Sequence, residues 1–231
     1  MSIWYAIPPA NYLETMEDWP YHMIIAPHLL SNDKYYDFYL KNVFNLHTII
    51  DNGLWEGQVV SNTKLLNMAN YCECEEIIAP DEVSGPLTIN KTSEFIKYLK
   101  KKGQRYDFRI HGVVHGKKGS EIHKCLQDLL DLDVDVISLP KMLGPRQRDI
   151  WRKFIQKNGC MLHDIPVPVH YLGYYKEESK FLREYPIRSF DTSVPFKPRY
   201  GEKFELNLPY TLRNRIIISN RIRKWKKIYH T

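Results

Sequence analysis

Five stretches of the chain place a polar, protonatable side chain directly after an apolar, β-branched run. Asp51 follows Thr48-Ile49-Ile50 and opens Asp51-Asn52-Gly53, with Glu56 close behind. Asp81 and Glu82 follow Ile77-Ile78-Ala79-Pro80, and His115 follows Gly112-Val113-Val114 and precedes Gly116. Asp191 follows Arg188-Ser189-Phe190 and precedes Thr192-Ser193, while His28 follows Ile25-Ala26-Pro27. An isolated Asp before Asn-Gly or Thr-Ser is commonly a turn or N-cap residue, because its carboxylate accepts local backbone N–H bonds. Recurrence at three separate run ends favours a shared role instead. Paired carboxylates suit glycosyl chemistry, in which one attacks the anomeric carbon and the other moves a proton to or from the leaving group.

Such side chains can meet only if the runs that carry them lie side by side. Eight runs read as strands: Ile3 to Ile7, His22 to Ala26, Leu46 to Ile50, Glu76 to Ala79, Phe108 to Val114, Val134 to Leu139, Val169 to Leu172 and Ile187 to Phe190. Several are continuously apolar rather than alternating, as a strand buried on both faces requires. Helical periodicity fills the gaps, over Thr92 to Lys101, Glu121 to Leu132 and Arg146 to Lys157. Strand and helix alternating eight times predict an α/β fold, a (β/α)8 TIM-type barrel over residues 1–196, whose strand C-terminal ends form the reactive rim. The Pro-rich first connection, Pro8 to Pro20, is weakly helical and makes barrel closure the least determined part. Neither a G-x-G-x-x-G nor a Walker A sequence supports an open sheet.

Residues 197–231 read as a linker and a basic C-terminal helix. The helix is expected from near Tyr210, with Ile218, Ile222, Trp225 and Tyr229 as its packing stripe. From Leu206 onward there is no acid, and Arg213, Arg215, Arg221, Arg223, Lys224, Lys226 and Lys227 are all basic. The preceding 205 residues carry 26 basic and 27 acidic side chains, so the net charge of +6 resides in the tail. This suggests a polyanion at one defined place, with a merely solvated basic helix left open by composition.

In order along the chain, Ile49-Ile50-Asp51-Asn52-Gly53, Ile77-Ile78-Ala79-Pro80-Asp81-Glu82, Gly112-Val113-Val114-His115-Gly116, His170-Tyr171-Leu172-Gly173 and Arg188-Ser189-Phe190-Asp191-Thr192-Ser193 resemble the tRNA-guanine transglycosylases. The resemblance spans about His22 to Phe196 and is nearest the short, phage-type branch linked to 7-deazaguanine modification of DNA. It implies exchange of a guanine in a polynucleotide for a 7-deazaguanine (preQ0-like) base through a covalent glycosyl-enzyme intermediate. Asp191 matches the nucleophile, Asp51 the acid/base, and Asp81 the carboxylate that reads the guanine edge. Asn52, Glu82, His115, Gly116 and Gly173 are implied to line the base. The family usually has Gln where His115 stands. Members acting on tRNA carry a structural zinc held by three Cys and one His after the nucleophile, whereas no Cys follows Cys160 here. The resemblance therefore implies no metal and no cofactor, and favours DNA over tRNA as partner.

The rest of the composition narrows the class. With 43% apolar and 26% charged residues the chain can bury a full core. No apolar run reaches the roughly 18 residues of a membrane span, and no signal-peptide layout opens the sequence, so a cytoplasmic location is expected, the host's if the protein is phage-encoded. Four scattered cysteines fit a reducing compartment, and Cys72-x-Cys74 reads as two ordinary thiols rather than a metal site. Sixteen Tyr, nine Phe and five Trp suit a filled core or base stacking, with Trp55, Tyr174 and Tyr175 near the rim. A non-catalytic nucleic-acid-binding barrel and a glycosidic-bond hydrolase remain as rival readings, and the oligomeric state is open.

Overall fold

Each of the eight apolar runs forms a strand in the computed structural model, which describes residues 2–54, 56–102, 108–140, 164–173, 187–197 and 208–229. Strands β1 (Ile3–Ala6), β2 (Tyr21–Ile25), β3 (His47–Asp51), β4 (Glu76–Ile78), β5 (Arg109–Val113), β6 (Val136–Pro140), β7 (Val169–Leu172) and β8 (Ile187–Thr192) form a closed barrel in chain order. Every neighbouring pair is parallel, and β8 closes onto β1 with Asp191 opposite Tyr5. Closure holds although the first connection is a 3-10 helix, Ala10–Met16, which buries Tyr12, Leu13 and Met16.

The alternation of strand side chains explains the uninterrupted apolar runs. Ile24, Ile50 and Ile77 point outward into a cluster with Tyr35, Leu65, Leu66 and Phe95 from the surrounding helices. Their neighbours Met23, Ile25, Ile49 and Ile78 turn the other way and meet Tyr5 and Val113 in the lumen. Both faces lose water, and each buried aliphatic side chain contributes about 1.5–3 kcal/mol.

Helices α1 (Ala26–Ser31), α2 (Asp33–Lys41), α3 (Asn62–Tyr71), α4 (Gly85–Lys102) and α5 (Gly119–Asp131) form the outer layer described. Asn32 and Ser61 cap α2 and α3 by accepting from Tyr35 N and Lys64 N. Helix α4 starts at Gly85, well ahead of the expected Thr92, because polar residues in its first turns blur the stripe. One of them, Thr88, is buried all the same: its hydroxyl donates to Glu82 O at 2.8 Å and accepts from Glu82 N at 3.0 Å. Close approach of α5 depends on Gly112, where an added Cβ would lie 2.8 Å from Leu129 Cδ2.

The last helix, α6 (Leu212–Tyr229), begins two residues after the expected start. It buries Ile218, Ile222 and Trp225, and the Trp225 ring stands 5.2 Å from that of Trp4 on β1. The side chain of Tyr229, the expected helix at Arg146 to Lys157, and Trp55, Tyr174, Tyr175 and Cys160 lie outside the described residues.

Candidate active site

The barrel brings the three strand-end carboxylates to one end. Asp51 closes β3, two residues after the lumen-facing Ile49, and lies in register with Ile25 of β2. Asp191 is the penultimate residue of β8, and Asp81 follows β4 across Ala79-Pro80. Burial first, then the negative charges of Glu56, Asp81 and Asp191, push the Asp51 carboxyl well above the usual carboxylate range. The Gly53 N–H, 3.1 Å from Asp51 Oδ1, opposes this only in part. Asp51 is thereby suited to carry a proton, as a general acid must. Gly53 itself has φ +86°, and a Cβ there would fall 2.3 Å from Pro27 Cγ, so the turn after β3 admits only glycine.

Asn52 ties two rim loops together. Its Nδ2 donates to Asp81 Oδ1 at 3.0 Å and to Ala79 O at 3.2 Å, while its Oδ1 accepts from Leu54 N at 2.9 Å. The other Asp81 oxygen, Oδ2, lies 2.8 Å from His115 Nε2. Each carboxylate oxygen retains a second lone pair, so Asp81 can still accept two further hydrogen bonds. His115 thus supports Asp81, and its own backbone N–H donates to Cys125 Sγ at 3.4 Å.

The glycines beside His115 serve helix packing. Gly112 faces Leu129 and Val134, and a Cβ on Gly116 would lie 2.7 Å from Ile122 N, so both small residues leave room for the close approach of α5. Glu82 is half-buried, with its backbone held by Thr88. His28 sits in α1 with its ring edge-on to Tyr35, and burial lowers it to about 4, so it remains neutral.

Glu56 joins this group more closely than its sequence position suggested. Burial raises its carboxyl, as does the charge of Asp191, against a lowering bond from its own backbone. Its Oε2 is buried and has no hydrogen-bond partner among the described residues.

Below the rim, the lumen holds a polar network that the sequence pattern did not single out. Glu76, fully buried at the start of β4, accepts from Tyr5 Oη (3.2 Å), Arg109 Nη2 (2.7 Å) and Arg188 Nη2 (2.5 Å), and lies 2.6 Å from His111 Nε2. Burial alone would raise its carboxyl, but His111 and Arg188 together hold it well below the usual range. Burial brings His111 down to about 4 and the Tyr5 phenol well up. His111 Nδ1 meets Ser138 Oγ at 2.9 Å, and its ring centroid lies 5.5 Å from that of His170. His170 in turn reaches Ser189 Oγ at 2.8 Å and Asp191 Oδ1 at 3.2 Å. The one sequence signal for this network is alternation: His111, Ser138, His170 and Ser189 are polar residues inside otherwise apolar runs.

On α6, Arg213, Arg215, Arg223, Lys224 and Lys227 are exposed, whereas Lys226 is paired with Asp18 and Arg221 donates to Lys197 O. Cys72 and Cys74 are buried at the end of α3. Among the described residues no group of three His, Cys, Asp or Glu could hold a metal ion, and no helix is long and apolar enough to cross a membrane. No protein-family model and no curated protein matches the chain.

Proposed function

We propose that the protein is a base-exchange transglycosylase that replaces guanine in a polynucleotide, DNA in preference to tRNA, with a 7-deazaguanine base. The observation that carries this reading is the meeting of Asp51, Asp81 and Asp191 at one barrel end with unlike surroundings: Asp51 is driven towards its protonated form, while Asp191 is held by donors. Two carboxyl groups whose environments divide acid from nucleophile are what glycosyl transfer needs.

Asp191 attacks the anomeric carbon, and the bond from that carbon to guanine N9 breaks. Its electron pair stays with the base, which takes the Asp51 proton and leaves as neutral guanine. The sugar remains as an ester of Asp191. An incoming 7-deazaguanine then gives its N9 proton to Asp51, and N9 displaces the Asp191 carboxylate, restoring both acids. Asp81 selects the base, since its oxygens accept from the N1–H and exocyclic amine of guanine, donors that adenine does not offer in that arrangement. The target nucleotide leaves its stack to reach a lumen mouth, and the exposed cations of α6 supply contacts to phosphate.

The test is intact-mass trapping. The full chain is incubated with guanine-containing DNA and, separately, tRNA, without an incoming base, then denatured. An adduct on DNA that Asp191→Ala abolishes is the expected result. An adduct with tRNA alone moves the substrate to tRNA. An abasic product without exchange marks a hydrolase, and binding without adduct or base release marks a non-catalytic barrel.

A further inference from the structure

The hydrogen bonds around Asp191 distinguish its two oxygens. Oδ1 is 3.2 Å from His170 Nε2 and 3.1 Å from Gly173 N, whose left-handed φ of +75° presents that N–H. No described residue bonds Oδ2. The bond from His170 exists only if Nε2 carries the ring proton, because an ionised carboxylate can only accept. What sets that tautomer lies one step deeper.

Val169 pairs with Ile187, yet His170 pairs with Ser189, so Arg188 is the extra residue of a bulge in β8. The bulge turns Arg188 into the lumen beside Ser189, as bulges re-aim side chains. Arg188 Nε and Nη2 stand 3.3 and 3.2 Å from Ser189 Oγ, and Nη2 also donates to Glu76 at 2.5 Å. A guanidinium only donates, so these two contacts occupy both acceptor sites of the Ser189 oxygen. The one hydroxyl proton is left to donate to His170 Nδ1 at 2.8 Å. Nδ1 must then be bare and Nε2 protonated.

We propose that Arg188, Ser189 and His170 form a positioning relay that locks His170 in its Nε2–H tautomer and so holds Asp191 by Oδ1, leaving Oδ2 as the attacking atom. The relay rests on the base-exchange reading for the identity of the attack, but its tautomer does not. None of the three residues touches the base in this scheme. Their loss therefore slows chemistry without weakening binding.

The experiment combines kinetics with ¹⁵N spectroscopy of the His170 ring in the full-length protein. Guanine release from a guanine-containing oligonucleotide in the presence of preQ0 is followed for wild type, His170→Leu, His170→Gln and Ser189→Ala, with thermal melts confirming that each folds. His170→Leu is expected to lower kcat about 100-fold, the size of a small misplacement of a reacting group, with KM within about twofold. Gln, whose amide can donate from near the Nε2 position, recovers at least about tenfold of that loss, and Ser189→Ala falls between. The wild-type ring shows the Nε2–H tautomer, and Ser189→Ala mixes the two. Turnover of His170→Leu at the wild-type rate, or an Nδ1–H ring in wild type, overturns the relay while leaving base exchange intact. If wild type releases no base from DNA or tRNA, base exchange fails and the ring spectrum alone decides the relay: Nε2–H dependent on Ser189 upholds it, Nδ1–H removes it.

Discussion

Asp81 Oδ2 stands 2.8 Å from His115 Nε2, so the carboxylate assigned to read the base is itself held by an imidazole. With Asn52 on the other oxygen at 3.0 Å, Asp81 is fixed before any ligand arrives. Asp81→Asn puts a donor where guanine also donates. We expect kcat/KM for guanine release to fall about 10- to 100-fold, the worth of one or two charge-assisted hydrogen bonds. His115→Gln, which keeps a donor within reach of Asp81, should retain more activity than His115→Leu. Steady-state kinetics on one oligonucleotide series checks both, and an unchanged kcat/KM in Asp81→Asn would remove Asp81 from base recognition.

Asp51 links activity to stability with opposite signs. Its folded carboxyl is raised, by burial above all, so the native state binds more protons than the unfolded chain once pH exceeds the unfolded value of about 3.9. Stability contributed by this group is present below that pH and declines as pH rises towards the folded value. Asp51→Asn removes the decline. It should raise Tm at pH 7 by a few degrees, corresponding to roughly 1 kcal/mol or more, and show little difference from wild type near pH 4. The same variant should lose about 10²- to 10⁴-fold in guanine release, the usual worth of a general acid.

Glu56 tunes that acid. Its charge is the largest electrostatic influence raising Asp51, ahead of Asp81 and Asp191. Glu56→Gln therefore lowers the Asp51 carboxyl, and the basic limb of the pH–rate profile for guanine release should move to lower pH. A limb that stays in place would separate Glu56 from Asp51 in function.

Buried titratable groups make the fold sensitive to acid in two windows: His22, which packs against Phe38 and Tyr39 outside the strands, and His111 and Glu76 in the lumen. His22 and His111 are fully buried and lowered to about 4, so they are neutral in the native state while the unfolded chain protonates them below about 6.5. Unfolding free energy should fall between pH 6.5 and 4, by at most about 1.4 kcal/mol per pH unit for each ring. Glu76 acts lower down. Its folded carboxyl is depressed, so its stabilisation is complete above the unfolded value of about 4.3 and is lost as pH falls through the folded one. Glu76→Gln leaves the buried end of Arg188 without its carboxylate and should destabilise by about 3 kcal/mol at pH 7, measured by urea unfolding. Arg109, about half-exposed, contributes little to that figure.

The barrel was legible because its strands are buried on both faces and so appear as unbroken β-branched runs. The rim was legible because Asp51, Asp81 and Asp191 sit where those runs stop. The lumen was not. Glu76 and Arg188 are 112 positions apart, and the bulge that turns Arg188 inward is a one-residue slip that no local pattern reveals. His111 and His170 carry no local signal of their roles because their partners, Ser138 and Ser189, belong to the next strand over. Gly112 and Gly116 leave room for α5, a packing requirement that no local pattern reveals.

The tail offers a test that separates electrostatic docking from catalysis. Lys226 and Arg221 are engaged with Asp18 and Lys197 O, so the cations available for phosphate are Arg213, Arg215, Arg223, Lys224 and Lys227. Each of these that neutralises a phosphate releases condensed counterions, and the slope of log K against log salt records it. Replacing Arg223, Lys224 and Lys227 by Gln should weaken duplex binding uniformly across sequences and reduce that slope by up to about 0.9 for each phosphate no longer neutralised. Ile218, Ile222 and Trp225 stay in place on the other face, so the melt should not change. Under saturating DNA kcat should be preserved and only KM should rise. A triple variant with an unchanged salt slope would make α6 a packing element alone, and the phosphate contacts would then have to come from the barrel rim.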